Sequence, residues 1–470
     1  MVMGELPVEA EVLVIGGGPG GYAAAFRAAD LGLDVTLVTD EPRLGGVCLL
    51  RGCIPSKALL SLTELMAMAR TAAAQGIRFG EPAIDLEAMR TWKDRVVTQL
   101  ADGLVHLCAQ RRVRLMQARA TFTGIDTVHL ANAESHRITF KHGIIATGSR
   151  PIPLPDTTFT DRIMDAGKAL ELEDIPKRLL VIGGSYVGLE LGMVYARLGS
   201  QVTLVEMTDR LLPNVDADLV QPLARRVQHL FAGVYLKTTV TTLEQKKATV
   251  RVAFSGETAP SHTTYDRVLV AIGRQANTDK LGLEQAGVQM DAQGYIVVDK
   301  QRRTTNARLF AIGDVAGGML LAHKAMHEGK VAAEVIAGHR VAFDARAMPA
   351  VVYTDPQIAW CGLTEHDATV QQRHVKVARF PWQASGRAVS MAATEGFTKI
   401  IMDSESHGVL GMGVVGQHAE ALIAEGSLAI EMGAMAQDVA LTIHPHPTLS
   451  ETVGEAADVF LGSATHILRL

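Results

Sequence analysis

Twice in this chain a short apolar run ends in a cluster of glycines and passes straight into a helical pattern. Glu11-Val-Leu-Val-Ile runs into Gly16-Gly-Gly18-Pro19-Gly-Gly21 and the stretch Tyr22 to Gly32; Leu179-Leu-Val-Ile runs into Gly183-Gly-Ser185-Tyr-Val-Gly188. Unbroken apolar runs of this length suit strands buried on both faces of a parallel sheet. Strand, glycine turn and helix in that order form a dinucleotide-binding unit. Gly16 permits the tight turn, Gly18 lets a pyrophosphate approach the helix N-terminus, and Gly21 allows close packing of helix on strand. Ser185 replaces the middle glycine of the second unit, where a small side chain is tolerated with some loss of pyrophosphate approach. Two units argue for two dinucleotides, the alternative being a second repeat that binds nothing.

The second strand of such a unit should end on a carboxylate that accepts a ribose hydroxyl. In the second unit Gln201-Val-Thr-Leu-Val-Glu206 does so, and Glu206 would repel a 2′-phosphate, which favours NAD over NADP. In the first unit Asp34 to Val38 is followed by Thr39, with Asp40 the next acid. Either Asp40 shifts inward by one residue, or ribose binding falls to backbone and water.

Directly after the first unit comes Gly45-Gly46-Val-Cys48-Leu-Leu-Arg-Gly52-Cys53-Ile-Pro55-Ser-Lys57. In a regular helix, residues five apart have Cα atoms about 8.6 Å apart, and a disulfide needs less than about 7 Å. Gly52 and Pro55 make the required distortion easy. The pair reads as a redox-active disulfide, or else as two unlinked buried thiols. The chain has 4 cysteines, too few for a structural framework, and a cytosolic disulfide is more often catalytic. Cys108 and Cys361 read as inert core thiols.

At 470 residues the chain is too long for one core and suits roughly three domains. A net charge of −5 with both signs interspersed offers no basic stripe, so neither nucleic acid nor a membrane surface is an expected partner. No run is long enough to span a bilayer, and the start lacks a secretory signal, so a cytoplasmic protein is expected. No metal site is expected.

The cysteine motif resembles the active disulfide of the flavoprotein disulfide reductases, in particular their dihydrolipoyl dehydrogenase branch. Where those carry Asn-Val, this chain has Leu50-Arg51. The resemblance runs from Val12 to about Gly462 and implies an α/β fold of two Rossmann-like domains, for FAD and NAD, plus a C-terminal α+β dimerisation domain. The implied division is 1–150, FAD domain with the disulfide; 151–279, NAD domain; 280–347, a central segment completing the FAD site; and 348–470, the interface domain.

By the same resemblance FAD would meet Gly16, Gly18, Pro19, Gly21 and Gly46, with Asp40 replacing the glutamate usual at Thr39 and the Ala120 backbone touching the adenine. Thr147 and Gly148 belong to the return from the first domain. Asp314, in Leu309-Phe-Ala-Ile-Gly-Asp-Val315, would bind a ribityl hydroxyl, or else simply cap the next helix. Ala322 and His323 would open a helix whose backbone faces the isoalloxazine. NAD would meet Gly183, Ser185, Gly188 and Glu206, with Val240, Ala271, Gly273 and Arg274 as later contacts. Lys57 and Glu190 would form an ion pair near the flavin.

Near the end, His444-Pro-His446-Pro-Thr-Leu-Ser-Glu451 matches the reductases' C-terminal signature. Each proline biases the preceding histidine to extended backbone, and a carboxylate five residues on suits a base and its orienting acid. The resemblance implies that His446, held by Glu451, deprotonates dihydrolipoamide. Cys48 would then be the interchange thiol and Cys53 the thiolate beside the flavin. It also implies cis bonds at Asp355-Pro356 and His446-Pro447, and a homodimer in which the base faces the partner's disulfide. The expected partners are the lipoyl domains and E2 core of a 2-oxo-acid dehydrogenase complex, or a glycine-cleavage system. Rivals are a glutathione-type reductase, against which Glu206 counts; a mercuric reductase, whose C-terminal cysteine pair is missing; and a non-catalytic complex subunit, against which Cys48, Cys53 and His446 count.

For local structure, helices are expected at Cys53 to Gln75 and Asp85 to Arg111, and short antiparallel strands across Val113 to Ile145. A change of texture from about Met348 marks the last domain.

Overall fold

The computed structural model describes residues 8–131, 137–260 and 262–468. The outer ends of the first and last expected domains, 1–7 and 469–470, lie outside the described residues. The first unit is β1 (Val8–Ile15), α1 (Pro19–Asp30) and β2 (Val35–Thr39), followed by α2 (Gly46–Arg51), α3 (Cys53–Thr71) and α4 (Leu86–Gln110). Then come β3 (Arg114–Gln117), β4 (Arg119–Gly124), β5 (Thr127–Ala131) and β6 (Arg137–Ile145). The sheet order is β3-β2-β1-β6-β5-β4. The expected antiparallel pairing holds only for β4-β5-β6: β3 joins β2 in parallel, and β6, antiparallel to β5, joins β1 in parallel on its other edge. Both faces of β1 and β2 are buried, which is why these strands read as unbroken apolar runs.

Strand β7 (Ser149–Pro151) leads into a second unit. It comprises β8 (Ile163–Met164), α5 (Ala166–Glu171), β9 (Arg178–Ile182), α6 (Tyr186–Arg197), β10 (Gln201–Val205), α7 (Ala217–Leu230) and β11 (Gly233–Tyr235). A three-stranded antiparallel sheet, β12 (Thr239–Gln245), β13 (Val250–Ser255) and β14 (His262–Tyr265), precedes β15 (Arg267–Val270). The parallel order β11-β10-β9-β15-β8 repeats the Rossmann logic of the first unit. Strand β16 (Arg274–Ala276) pairs with β7, so the chain leaves and re-enters the second unit through one ribbon. It then returns to the first sheet, where β17 (Leu309–Ala311) pairs with β6, and α8 (Ala322–Ile336) packs on α1. This packing is glycine-dependent: a Cβ on Gly329 would lie 2.6 Å from the Gly20 carbonyl oxygen.

The C-terminal unit is an antiparallel sheet of β18 (Ala350–Val352), β19 (Gln357–Gly362), β20 (Val375–Pro381), β21 (Phe397–Asp403) and β22 (Val409–Gly416), in the order β18-β19-β22-β21-β20. Helices α9 (Glu365–Val370), α10 (Gly386–Ser390), α11 (Ala419–Met432), α12 (Ala436–Leu441) and α13 (Glu451–Leu461) accompany it. One apolar core joins Leu59 and Leu60 of α3, the second Rossmann unit, and Val352, Ile358 and Val415. A polar joint stands beside it. Lys399, 1% exposed, donates to Asp216, Asp218 and Glu365, each at 2.8 Å, so the three acids that converge here are held by an ammonium group. The expected cis bonds are present at Asp355-Pro356 and His446-Pro447. Among the described residues, no helix is long and apolar enough to cross a membrane.

Candidate active site

A cavity of about 640 Å³ runs from Ala118 and Ala120, past the first glycine turn, to Cys48, Cys53, Lys57, Asp314 and Tyr186. Its floor is set by glycines. A Cβ on Gly16, at φ +114°, would strike the Ala146 carbonyl oxygen at 2.2 Å, and one on Gly46, at φ +57°, would lie 2.6 Å from the Gly18 Cα. The helices α1 and α2 are thereby drawn together at the N-terminus of α1, where Gly18 is the N-cap and Pro19 the first helical residue. Gly21 closes α1 on the turn, since its Cβ would clash with the Gly16 carbonyl oxygen. Bare backbone at the start of α1, which no side chain caps, and an elongated cavity fit the pyrophosphate and body of FAD.

The distortion expected between the cysteines is a break at Gly52, which separates α2 from α3. A Cβ there would stand 2.8 Å from the Val47 carbonyl oxygen, so the chain folds back only because the position is bare. Cys48 and Cys53 are two thiols on one wall of the cavity, placed so that the Cys48 S–H can donate to the Cys53 sulfur. The bond accepted from Cys48 pulls the Cys53 pKa down to about 7; burial opposes this and the Lys57 ammonium reinforces it. The same bond, together with burial, pushes Cys48 far up. One sulfur is thus made acidic at the expense of the other.

Lys57 and Glu190 come together as expected, at 2.7 Å. Glu190, 2% exposed, also accepts from the Ser56 hydroxyl at 3.1 Å and from the Tyr353 N–H at 2.9 Å, while Lys57 lies 4.5 Å from the centre of the Tyr353 ring. Three parts of the chain therefore fix one ion pair. Thr147, Gly148, Asp314 and Ala322 line the cavity. The Thr147 hydroxyl donates to the Asn277 carbonyl, and Asp314 accepts from the Ser149 hydroxyl. His323 turns its ring away, with Nε2 at 2.7 Å from the Pro349 carbonyl oxygen, so only its backbone can serve the cavity.

In the second unit Gly183, Ser185, Gly188, Glu206 and Ala271 converge. Ser185 has φ −80° and ψ 173°, against −75° and −178° at Gly18, so the two turns share one backbone. The Ser185 hydroxyl donates to the Ala271 carbonyl at 3.1 Å. Glu206 accepts from the Gly184 N–H at 2.6 Å and from the N–H and hydroxyl of Thr208 at 2.8 and 2.9 Å. Val240 lies on β12 and packs against the core beneath this turn. Arg274 departs from expectation: its guanidinium donates to the Ser149 hydroxyl and carbonyl at 2.7 and 2.6 Å and approaches Asp314 at 3.9 Å. Any contact from Gly273-Arg274 to a nicotinamide nucleotide therefore falls to the backbone.

His446 is 73% exposed and is not among the residues lining the cavity. Its Nδ1 lies 2.8 Å from Glu451 Oε1, while Glu451 Oε2 accepts from the Thr448 N–H at 2.7 Å. Burial works to raise Glu451, but that N–H and the imidazole outweigh it and hold the carboxyl below its usual range. His444 makes its own pair with Glu425 at 2.7 Å. Sequence reasoning missed Tyr186, although it stands inside the second glycine motif, and also Tyr353 and the pair Glu41–Arg51.

Two Rossmann units, a thiol pair at the first and an imidazole on a third unit define a class of nucleotide-dependent thiol oxidoreductases, and the comparisons agree. The family model for pyridine nucleotide-disulphide oxidoreductases matches residues 10–329 and that for the family's dimerisation domain matches residues 348–457, so the chain belongs to this family. It is an NAD-dependent oxidoreductase that uses FAD and NAD, and it carries the domain by which the family forms homodimers. Similar relatives are dihydrolipoyl dehydrogenases: that of Vibrio cholerae is 46% identical over 98% of this chain and 97% of its own, and that of Geobacillus stearothermophilus 44% identical over 100% of both. Among solved structures, LpdA from Mycobacterium tuberculosis matches with a TM-score of 0.89 at 26% identity over 96% of this chain and 99% of its own. The HOCl-induced flavoprotein disulfide reductase RclA from Escherichia coli matches at 0.84 and 25% identity over 95% and 99%.

Proposed function

We propose that this chain oxidises dihydrolipoamide to lipoamide at Cys48 and Cys53 and passes the two electrons through FAD to NAD, as the E3 component of a 2-oxo-acid dehydrogenase complex. The observation that carries the reading is the convergence of Cys48, Cys53 and the Lys57–Glu190 ion pair on the cavity beside the first glycine turn. In thiol–disulfide exchange the sulfur with the lower pKa leaves faster, so a substrate thiolate attacks the oxidised pair at Cys48 and expels Cys53 as the thiolate. The second substrate thiol then attacks the substrate sulfur bonded to Cys48, closing the lipoamide disulfide, and the proton it loses passes to the departing Cys48 sulfur, whose raised pKa favours the thiol. Lipoamide departs, and two electrons stay on the pair.

His446 takes the first thiol's proton at Nε2, since Nδ1 is committed to Glu451. The carboxylate fixes the tautomer and stabilises the imidazolium. Lys57, held by Glu190, keeps Cys53 anionic beside the cavity. When bound, FAD would supply the two-electron transfer that links the thiol pair to NAD. Gly16, Gly18, Pro19, Gly21 and Gly46 would hold its pyrophosphate, and Ala120, Thr147, Gly148 and Asp314 its remaining length. Gly183, Ser185, Gly188 and Glu206 would seat NAD.

Because His446 is exposed and off the cavity, the working site joins Cys48 of one chain to His446 of a second in a two-fold dimer. The fourfold division of the chain at 150, 279 and 347 belongs to the same reading, supported by the β7–β16 ribbon and the return of β17. Lipoyl domains and an E2 core are the protein partners, in the cytoplasm. The test is NADH formation with dihydrolipoamide by the FAD-loaded dimer. Turnover that survives Cys48→Ser or Cys53→Ser, or no turnover by the unaltered protein, overturns the reading.

A further inference from the structure

The two Rossmann units of this chain can be laid over one another by register. Gly16 donates to the Val38 carbonyl at 2.8 Å and Gly183 to the Val205 carbonyl at 2.9 Å, so Thr39-Asp40-Glu41 corresponds to Glu206-Met207-Thr208. The same two residue types stand in reverse order. In the second unit the acid comes first and accepts from the N–H and hydroxyl of the threonine two residues on. In the first unit the threonine comes first, and its hydroxyl accepts from the N–H of the acid two residues on, at 3.3 Å.

The geometry around the glycine turns shows what the exchange does. A Cβ on Gly184 would lie 3.2 Å from Glu206 Oε2, and one on Gly17 would lie 3.1 Å from the Cβ and Oγ1 of Thr39. Thr39 therefore occupies the place of the strand-end carboxylate, but it is too short to present an acceptor to a ribose and is 5% exposed. Glu41 stands on the wall of the same cavity. Its carboxylate is gripped at both oxygens by Arg51, one arm at 2.8 Å from Nη1 to Oε2 and the other from Nη2 to Oε1. Arg51 is also one of the two residues, Leu50-Arg51, by which the cysteine motif departs from the family pattern. A fork-to-fork pair uses one lone pair on each oxygen and leaves the others free to accept.

We infer that Glu41, positioned by Arg51, is the acceptor for the adenosine ribose of FAD, in place of both the missing acid at 39 and the exposed Asp40. Two departures from the family pattern thereby become one device: the acid moves two residues downstream, and an arginine on α2 fixes it where the strand end no longer can. Arg51 is a positioning residue, and the binding group is the Glu41 carboxylate.

The test follows FAD release from the purified holoenzyme by the recovery of flavin fluorescence after dilution. Glu41→Gln should release FAD about tenfold faster, the loss expected for one charge-assisted hydrogen bond. Arg51→Val should act in the same direction, and Asp40→Asn should leave the rate within about twofold of the unaltered protein. Adding Thr39→Glu to Glu41→Gln should restore retention, which a merely structural role for Glu41 would not allow. Unchanged release from Glu41→Gln, an Asp40→Asn effect as large as that of Glu41→Gln, or no rescue by the acid at 39 would each overturn the inference.

Discussion

Cys53 carries the most specific expectation at the scale of single residues. With its pKa lowered to about 7, the reduced pair should gain its first thiolate near that pH, and Cys48, whose pKa is raised, resists losing a second proton. Lys57 lowers Cys53 and Glu190 raises it. Lys57→Met should therefore move the midpoint for alkylation of the reduced protein upward, and Glu190→Gln should move it downward. Midpoints that shift the other way, read by ultraviolet thiolate absorbance, would remove the proposed roles. That Cys48 lies beside Cys53 and His446 beside Glu451 was legible in the sequence, because each pair stands within a few residues along the chain. Tyr353 was not, since its N–H meets Glu190 across 163 positions and any residue but proline could supply that donor. The Glu41–Arg51 pair was half legible: both departures stood in the sequence, but nothing local said that they touch.

Elements were readable where they carry their own period. Helix α4 lies within one residue of expectation at each end, and α3 begins where expected but gives way after Thr71 to a short 3₁₀ turn at Ala72–Gln75. Strand pairing was not readable across Val113 to Ile145. Alternation reports burial on one face, whereas β3 and β6 take their direction from β2 and β1, far away in sequence. At the end of β10, Glu206 is 8% exposed and already accepts three hydrogen bonds. A phosphate placed against it would meet a fixed negative charge. NAD should be used at least about tenfold better than NADP, equivalent to about 1.4 kcal/mol, and a basic residue in place of Glu206 should narrow the gap. Equal kcat/KM for the two nucleotides would sink this expectation.

Across the whole molecule, Lys399 of β21 fastens the C-terminal sheet to Asp216 and Asp218 at the start of α7. Burial works against its charge, yet the surrounding acids carry its pKa above the ordinary value. Burial likewise works to raise Asp218, but Lys399 and Arg379 outweigh it and hold the carboxyl low. A raised lysine and a depressed aspartate stabilise the fold between about pH 4 and 10; the contribution fades as pH falls through the lowered acid value or rises through the raised amine value. Lys399→Met should cost about 3–5 kcal/mol in that range, because the buried Asp216 loses its cation while Asp218 and Glu365 keep only Arg379, and urea unfolding would measure it. The shared site makes a separate demand. Dimers isolated with one Cys48→Ser chain and one His446→Ala chain should regain one working site, and activity no higher than either parent would show that the site is not shared. The two glycine turns also bear on how long each nucleotide stays. Gly18 and Ser185 hold the same backbone, but one is bare and the other carries a hydroxyl already engaged with Ala271. A tenant that leaves the first turn disables the enzyme, and one that lingers in the second stalls it. With FAD proposed at the first turn and NAD at the second, a lasting site and an exchanging one would come from a single plan, one side chain apart.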